Sequence, residues 1–507
     1  MNIEITWKGG GRTIDVPAPD ESAVMAEAGK ALLEVEEFPN CIKVECGAGT
    51  AEFAAVKRGT FVDADGHDRP SIHCSCSYWN MHLPESRYRN AVLTCVNARK
   101  SRDTGRSANN YKRYDLVPVN DPGGTTRYVD AYYGRLDSFL PGCENGPYGK
   151  RKVQQPYKPY MYWMIYYEKI SKGYVDNTAQ YCGPAKAGKG RTSAEQGTPA
   201  TPSEKLYAKL MSFSRQLVQS TFAAPVDEAV TQAQVKKARK YFNAMCQRKT
   251  VEGFNRQLEQ LVMLSPRNVA YTSSLFAYDR DDFAAIIDRE ETLLNAMEAV
   301  LTGMESGSGE AAKLPSFADF GMDVFLATDE QKRHVMDRLS DSLKPKVKAV
   351  YRVINKSHRE RFENYLKDNG IKAVREFWHG SRNENWLSIA KNGLALSPAA
   401  VITGKMLGKG IYFAPSAMKS WGYTSYSGSF WAGGKDHTAF MGLYATAYGS
   451  PYVVDSPYKL RQYSGADMRT LHSDCVHAKQ SCGLRNDEIC FYSESAMLLN
   501  YIVEFGD

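Results

Sequence analysis

Polar and apolar residues alternate over residues 3–7 and 41–44, the period-two pattern of half-buried strands, whereas residues 22–35 place apolar side chains at helical spacing. Together they predict a small α+β domain over residues 1–100. Strand-like alternation, dense in Tyr, returns over residues 109–181. There, residues 111–119 and 126–133 flank the turn signal Asp121-Pro122-Gly123-Gly124, which predicts an antiparallel hairpin, followed by a helix over residues 159–171 that stops near Gly173. Residues 183–202 are rich in Gly, Ala, Ser, Thr, Pro and Lys and hold almost no large apolar residue. They cannot build a core and read as a flexible linker.

The period changes again over residues 203–303. Phe254, Leu258, Leu261 and Val262 fall at i, i+4, i+7 and i+8, and Val235, Ala238, Phe242 and Met245 repeat the theme, so this stretch predicts a helical bundle whose apolar stripes form its core. A second Gly/Ser-rich break at residues 304–313 precedes a final segment, 315–507, of short strands, short helices and Gly-rich loops, an α+β pattern. The expected class is multidomain α+β.

Length agrees, since 507 residues exceed what one core serves, and 43% hydrophobic with 24% charged residues argues against wholesale disorder. The first 16 residues lack a basic stretch followed by a long apolar run, and no stretch of about 18 apolar residues occurs, so neither a signal peptide nor a membrane partner is expected. Eleven cysteines without a secretion signal suggest reduced thiols, hence an intracellular protein, nuclear in a cell with a nucleus and cytoplasmic otherwise. Cys41, Cys46, His73, Cys74, Cys76 and His82 invite a zinc reading, but their spacings lack paired CxxC knuckles, and ordinary thiols are the expectation. A net charge of +7 suits an anionic partner and equally suits plain solvated surface.

The chemistry concentrates in the last segment: Trp378-His379-Gly380-Ser381-Arg382, then Gly408-Lys409-Gly410-Ile411-Tyr412-Phe413-Ala414, then Lys419-Ser420 with Tyr423, and finally Asn486-Asp487-Glu488. Singly these are a loop turn, a hairpin with a packed aromatic and the solvent end of a strand. In this order they resemble the catalytic signature of the poly(ADP-ribose) polymerase family over most of residues 322–507.

That resemblance implies an ADP-ribosyltransferase with NAD⁺ as co-substrate and no metal, in which His379, Tyr412 and Glu488 form the catalytic triad. It further implies that Gly380 and Ser420 hold the nicotinamide carboxamide, that Tyr423 and Tyr412 sandwich its ring, and that His379 with Ser381 holds the adenosine ribose. The chemistry suits these residue types. Nicotinamide leaves as a neutral ring while positive charge develops on the ribose, so a carboxylate beside the sugar hydroxyl stabilises the transition state and can orient an acceptor. The loop between Gly393 and Gly408 is similar to the family's donor loop, with Ala395 where DNA-dependent relatives often carry Arg.

Upstream, Phe254-Asn255-Arg256 through Leu264-Ser265-Pro266 and residues 290–300 resemble the family's helical regulatory subdomain in shortened form; a plain helical spacer is the alternative. Residues 105–182 resemble a WGR domain, with Tyr133-Gly134-Arg135 in place of the signature, so Tyr133 and Arg135 are candidate DNA contacts. Lys150, Arg151, Lys152 and Lys158 lie among Tyr148, Tyr157 and Tyr160, a mixture suited to phosphate. The expectation is a polymerase activated by DNA breaks, modifying protein acceptors including itself. A DNA-independent mono-ADP-ribosyltransferase and a catalytically silent DNA-binding adaptor are the rivals.

Overall fold

The structure, a computed structural model, describes the chain except for residues 36–39, 63–67, 85–87, 99–109, 140–151, 182–200, 223–231, 266, 270–271, 306–315, 397–405 and 431. Most of the expected linker, the second break, Tyr148, Lys150 and Arg151, and the middle of the candidate donor loop fall outside the described residues. The architecture is mixed α+β, and the chain divides into two compact units: residues 1–188 with 221–229 and 250–278, and the remainder.

In the first unit, strands β1 (Asn2–Trp7), β2 (Gly10–Asp15), β3 (Asn40–Cys46), β4 (Gly49–Val62) and β5 (Asp68–Met81) form an antiparallel sheet in the order β2-β1-β3-β4-β5. The alternation seen in the sequence is the pleat: Ile3 and Ile5 of β1, and Ile42 and Val44 of β3, point into one core against the helix Glu21–Glu34. Asp20 caps that helix by accepting from the Ala23 amide at 2.8 Å.

A second sheet joins β6 (Ala91–Cys95), β7 (Lys112–Asn120), β8 (Thr126–Arg135), β9 (Lys152–Tyr157) and β10 (Val175–Asp176) in the order β10-β6-β7-β8-β9. The hairpin is β7-β8, and its turn holds because Asp121 Oδ1 accepts from the amides of Gly123 and Thr125. The helix that follows, Tyr162–Ser171, serves both sheets. Met164 enters the first core while Tyr162 and Ile165 enter the second. It also crosses Glu21–Glu34 at Gly29, where a Cβ would lie 2.3 Å from the Tyr167 ring.

Strand β6, assigned by position to residues 1–100, pairs with β7, and residues 1–182 share one compact unit. Among the described residues, the helices over 203–303 divide between the two units. Pro202–Thr221, Gln232–Cys246 and Asp282–Glu305 fall almost wholly in the second unit, while Val251–Leu264 belongs to the first. Tyr111 donates to the Val262 carbonyl at 2.9 Å and the Asn177 amide to that of Met263 at 2.6 Å, both buried, so this helix's end is fixed to the β6–β10 sheet by polar bonds that periodicity does not reveal.

On the same helix Glu259 accepts from the Ala98 amide, and burial pushes its carboxyl up to about 7. The folded state then holds a proton that the unfolded chain releases near 4.5, so stability present below pH 4.5 is lost as pH rises through about 7. At about 1.4 kcal/mol per unit, the loss is about 3 kcal/mol. Glu259→Gln, which keeps an acceptor without the charge, is expected to raise the unfolding midpoint at pH 8 and to flatten the fall between pH 5 and 8; thermal scans across that range check it.

In the second unit, β11 (Met322–Leu326), β12 (Val347–Asn355), β13 (Arg375–Gly380), β15 (Thr438–Thr446) and β19 (Met497–Gly506) form one sheet, in the order β11-β12-β19-β15-β13. Strands β14 (Ile411–Phe413), β16 (Pro451–Val454), β17 (Cys475–Ala478) and β18 (Glu488–Phe491) form another, in the order β14-β18-β17-β16. Strands β15 and β19 are covered along nearly their whole length, which is why their sequences are almost continuously apolar. No helix among the described residues is long and apolar enough to cross a membrane. Nor does any group of three potential His, Cys, Asp or Glu ligands gather among them to hold a metal.

Candidate active site

Segments around residues 378–382, 408–423 and 486–488, far apart in sequence, meet where β13, β14 and β18 come together. The Trp378 amide donates to the Ala414 carbonyl at 2.9 Å, and the Ala414 amide returns the bond at 3.0 Å, joining the end of β13 to the residue after β14. Strand β14 pairs with β18, setting Tyr412 opposite Cys490 and Phe413 opposite Ile489.

His379 lies one residue before the end of β13, its Nδ1 3.0 Å from the Tyr412 carbonyl oxygen. A carbonyl only accepts, so Nδ1 carries the hydrogen and, in the neutral ring, Nε2 is the accepting nitrogen. The ring lies against Phe413 and Tyr444, with centroids 5.6 and 6.2 Å away. Ser381 accepts at Oγ from the Asn385 amide at 3.1 Å.

Tyr412 donates its hydroxyl to the Gly408 carbonyl at 2.8 Å and accepts there from the Leu407 amide at 3.0 Å. Burial pushes its acidity far below that of an ordinary tyrosine, so the phenol stays protonated and closes the turn of its own loop. The Tyr412 ring itself is partly buried against the apolar cluster that includes Leu407, Val454 and Cys490.

Gly380 is required sterically. A Cβ there would sit 1.9 Å from the Ser420 carbonyl oxygen, so β13 and the short helix Ala417–Trp421 touch backbone to backbone. The space freed by the missing side chain is thus taken up by the Ser420 backbone. The Ser420 hydroxyl donates to the Trp378 carbonyl at 2.9 Å and is buried, so donation to a ligand requires it to rotate. Tyr423 is different: it is 43% exposed, offering a ring face, and burial with the nearby Glu488 charge raises its pKa.

Glu488 opens β18 and forms an ion pair with Lys419; the two side chains are 14% and 12% exposed. Lys419 also reaches the Asn486 carbonyl at 3.4 Å. The sequence showed Lys419 only as the neighbour of Ser420, because its partner lies 69 residues away. The pair fixes the position of the carboxylate through a charge-assisted contact.

The profile of the poly(ADP-ribose) polymerase catalytic domain matches residues 330–454, which include His379, Gly380, Ser381, Tyr412, Ser420 and Tyr423 and end before Glu488. Among curated proteins, the chain is 26% identical over 175 residues to a putative poly(ADP-ribose) polymerase-like protein, 100L, of Invertebrate iridescent virus 6. It is 32% identical over 134 residues to the poly(ADP-ribose) polymerase tankyrase of Caenorhabditis elegans, and 48% over 65 residues to poly(ADP-ribose) polymerase 2 of Homo sapiens. These matches cover 34%, 26% and 11% of this chain, and 91%, 5% and 11% of the respective relatives. Residues 330–454 accordingly match a poly(ADP-ribose) polymerase catalytic domain, and these similarities support an NAD⁺ ADP-ribosyltransferase enzyme.

Proposed function

We propose that the protein is a poly(ADP-ribose) polymerase that moves ADP-ribose from NAD⁺ to protein acceptors, itself included, and to growing chains, with nicotinamide released. The observation that carries this reading is the Lys419–Glu488 pair beside Tyr423 at the mouth of the β13-β14-β18 junction. His379, its accepting Nε2 fixed by the Tyr412 carbonyl, suits a ribose hydroxyl. The exposed Tyr423 ring with the Tyr412 ring suits the nicotinamide plane. Glu488 lowers the barrier by stabilising charge on the ribose and by accepting a hydrogen bond from the acceptor hydroxyl. Incubation with NAD⁺ labelled in the adenylate, followed by gel separation, tests it: a ladder on the protein supports polymerisation, and a single added unit rejects it.

DNA ends are the proposed activator. In the first unit a cavity of about 900 Å³ is lined by Lys112, Arg135, Lys169 and Lys172 together with Tyr114 and Tyr133, and by Glu168, which pairs with Lys169 and Lys172. Tyr133 lies over Tyr114, ring centroids 5.9 Å apart, and Arg135 keeps a buried nitrogen with no hydrogen-bond partner among the described residues. Cations interleaved with aromatic rings favour a nucleic-acid end. Cut duplex DNA is expected to stimulate NAD⁺ turnover several-fold, with stimulation falling as salt rises and lost in Arg135→Ala. Equal turnover with and without DNA contradicts this part of the proposal.

A further inference from the structure

Glu488 must be held as well as charged, and Lys419 grips only its carboxylate. The backbone just before it is anchored by a separate network centred on a buried histidine. His477, third residue of β17, is 5% exposed; its Nε2 lies 2.8 Å from Asp487 Oδ2 and its Nδ1 2.7 Å from the Tyr448 hydroxyl. The carboxylate accepts, so Nε2 carries the hydrogen, and the Tyr448 hydroxyl donates to Nδ1. Burial, the largest influence, lowers the proton affinity of this imidazole despite Asp487, which keeps the ring in that neutral form.

Asp487 also accepts from the Gln480 amide at 2.9 Å and pairs with Lys479 at 3.1 Å. Tyr448 is held in turn, with the Arg375 guanidinium 4.3 Å from its ring centroid. Asp487 is the residue immediately before Glu488, and Glu488 pairs with Ala478, the residue immediately after His477. The catalytic carboxylate thus hangs from a backbone position to which His477 contributes on both strands, with Lys479 and the Gln480 amide holding Asp487 as well.

We propose that His477 is a positioning residue for Glu488, acting through Asp487 to set where the carboxylate enters the site. The inference rests on the reading of Glu488 as the catalytic carboxylate. A displacement of about 1 Å in a catalytic group costs about 100-fold in rate while leaving substrate affinity largely alone, because binding relies on other contacts. Lys479 and the Gln480 amide still hold Asp487 without the imidazole, so the loss here is expected to be smaller.

The test compares His477→Phe, His477→Gln and His477→Asn in the full chain for kcat, KM for NAD⁺ and unfolding midpoint, with Glu488→Gln measured in parallel. His477→Phe is expected to lower kcat about tenfold or more with KM changed less than about threefold. Gln, whose terminal amide falls where Nε2 was, restores most of kcat, whereas Asn, which reaches only as far as Nδ1, does not. A His477→Phe protein with unchanged kcat overturns the proposal, as does a fall in kcat that tracks a common fall in midpoint across all three variants. Full activity in Glu488→Gln overturns the reading of Glu488 and this inference with it; an inactive Glu488→Gln beside a fully active His477→Phe overturns this inference alone.

Discussion

Replacing Glu488 with Gln is expected to remove chain growth while leaving NAD⁺ binding in place. Gln keeps the length of the side chain and loses its charge, so the ion pair with Lys419 becomes at best a neutral contact and the ribose loses the anion that stabilises its developing charge. The contacts expected to hold NAD⁺ come from His379, Tyr412 and Tyr423, none of which the substitution touches. General-base and electrostatic contributions of this kind are worth about 10² to 10⁴ in rate. Elongation is expected to fall within that range, with single additions persisting. Product length on a gel, read beside the KM for NAD⁺, checks both halves. Full-length polymer from the variant would reduce Glu488 to a strand-end carboxylate, and complete loss of binding would move it into the cradle.

At Gly380 the expected effect is as large but arises differently. Even Ala would place a carbon 1.9 Å from the Ser420 carbonyl, so β13 and the helix Ala417–Trp421 must part. Overpacking of this kind costs about 1–3 kcal/mol, and the parting displaces Ser420 and Lys419 from their partners. Gly380→Ala is therefore expected to lose NAD⁺ turnover together with thermal stability, and a bulkier residue such as Trp does not separate binding from folding. Tyr423→Ala is the cleaner probe, since its exposed ring is expected to take NAD⁺ turnover with it and leave the unfolding midpoint unchanged. A turnover and a midpoint measured on each variant distinguish the two behaviours.

What could be read from sequence was local. The β7-β8 hairpin was legible because Asp121 and the glycines after it make the turn without help from the rest of the fold. The stripes Phe254, Leu258, Leu261, Val262 and Val235, Ala238, Phe242, Met245 were legible because burial follows the helical period, and all eight are buried. What period cannot tell is which neighbour a stripe meets. The helix Val251–Leu264 fell in a different unit from the other three, and β6 joined a sheet whose other strands come later in the chain.

The site divides along the same line. His379 and Gly380 lie on β13, Tyr412 on β14 and Glu488 on β18, strands joined to one another by the Trp378–Ala414 bridge and the β14-β18 pairing. The partners of Glu488 and Ser420 were not legible, because each lies far away in sequence: Lys419 for Glu488 and the Trp378 carbonyl for Ser420. Tyr412 shows the reverse case. Its ring was expected to face NAD⁺, and its hydroxyl turned out to close its own loop, a local bond that residue type alone does not announce.

The central claim is that this site breaks the bond between nicotinamide and ribose and passes the sugar to protein. One measurement addresses it most directly: the full chain is incubated with NAD⁺ labelled in the adenylate, and free nicotinamide is quantified against label bound covalently to protein. The account predicts nicotinamide and protein-bound ADP-ribose in equal molar amounts, both abolished in Tyr423→Ala. Absence of nicotinamide release, or release with all of the label left as free ADP-ribose, would contradict it.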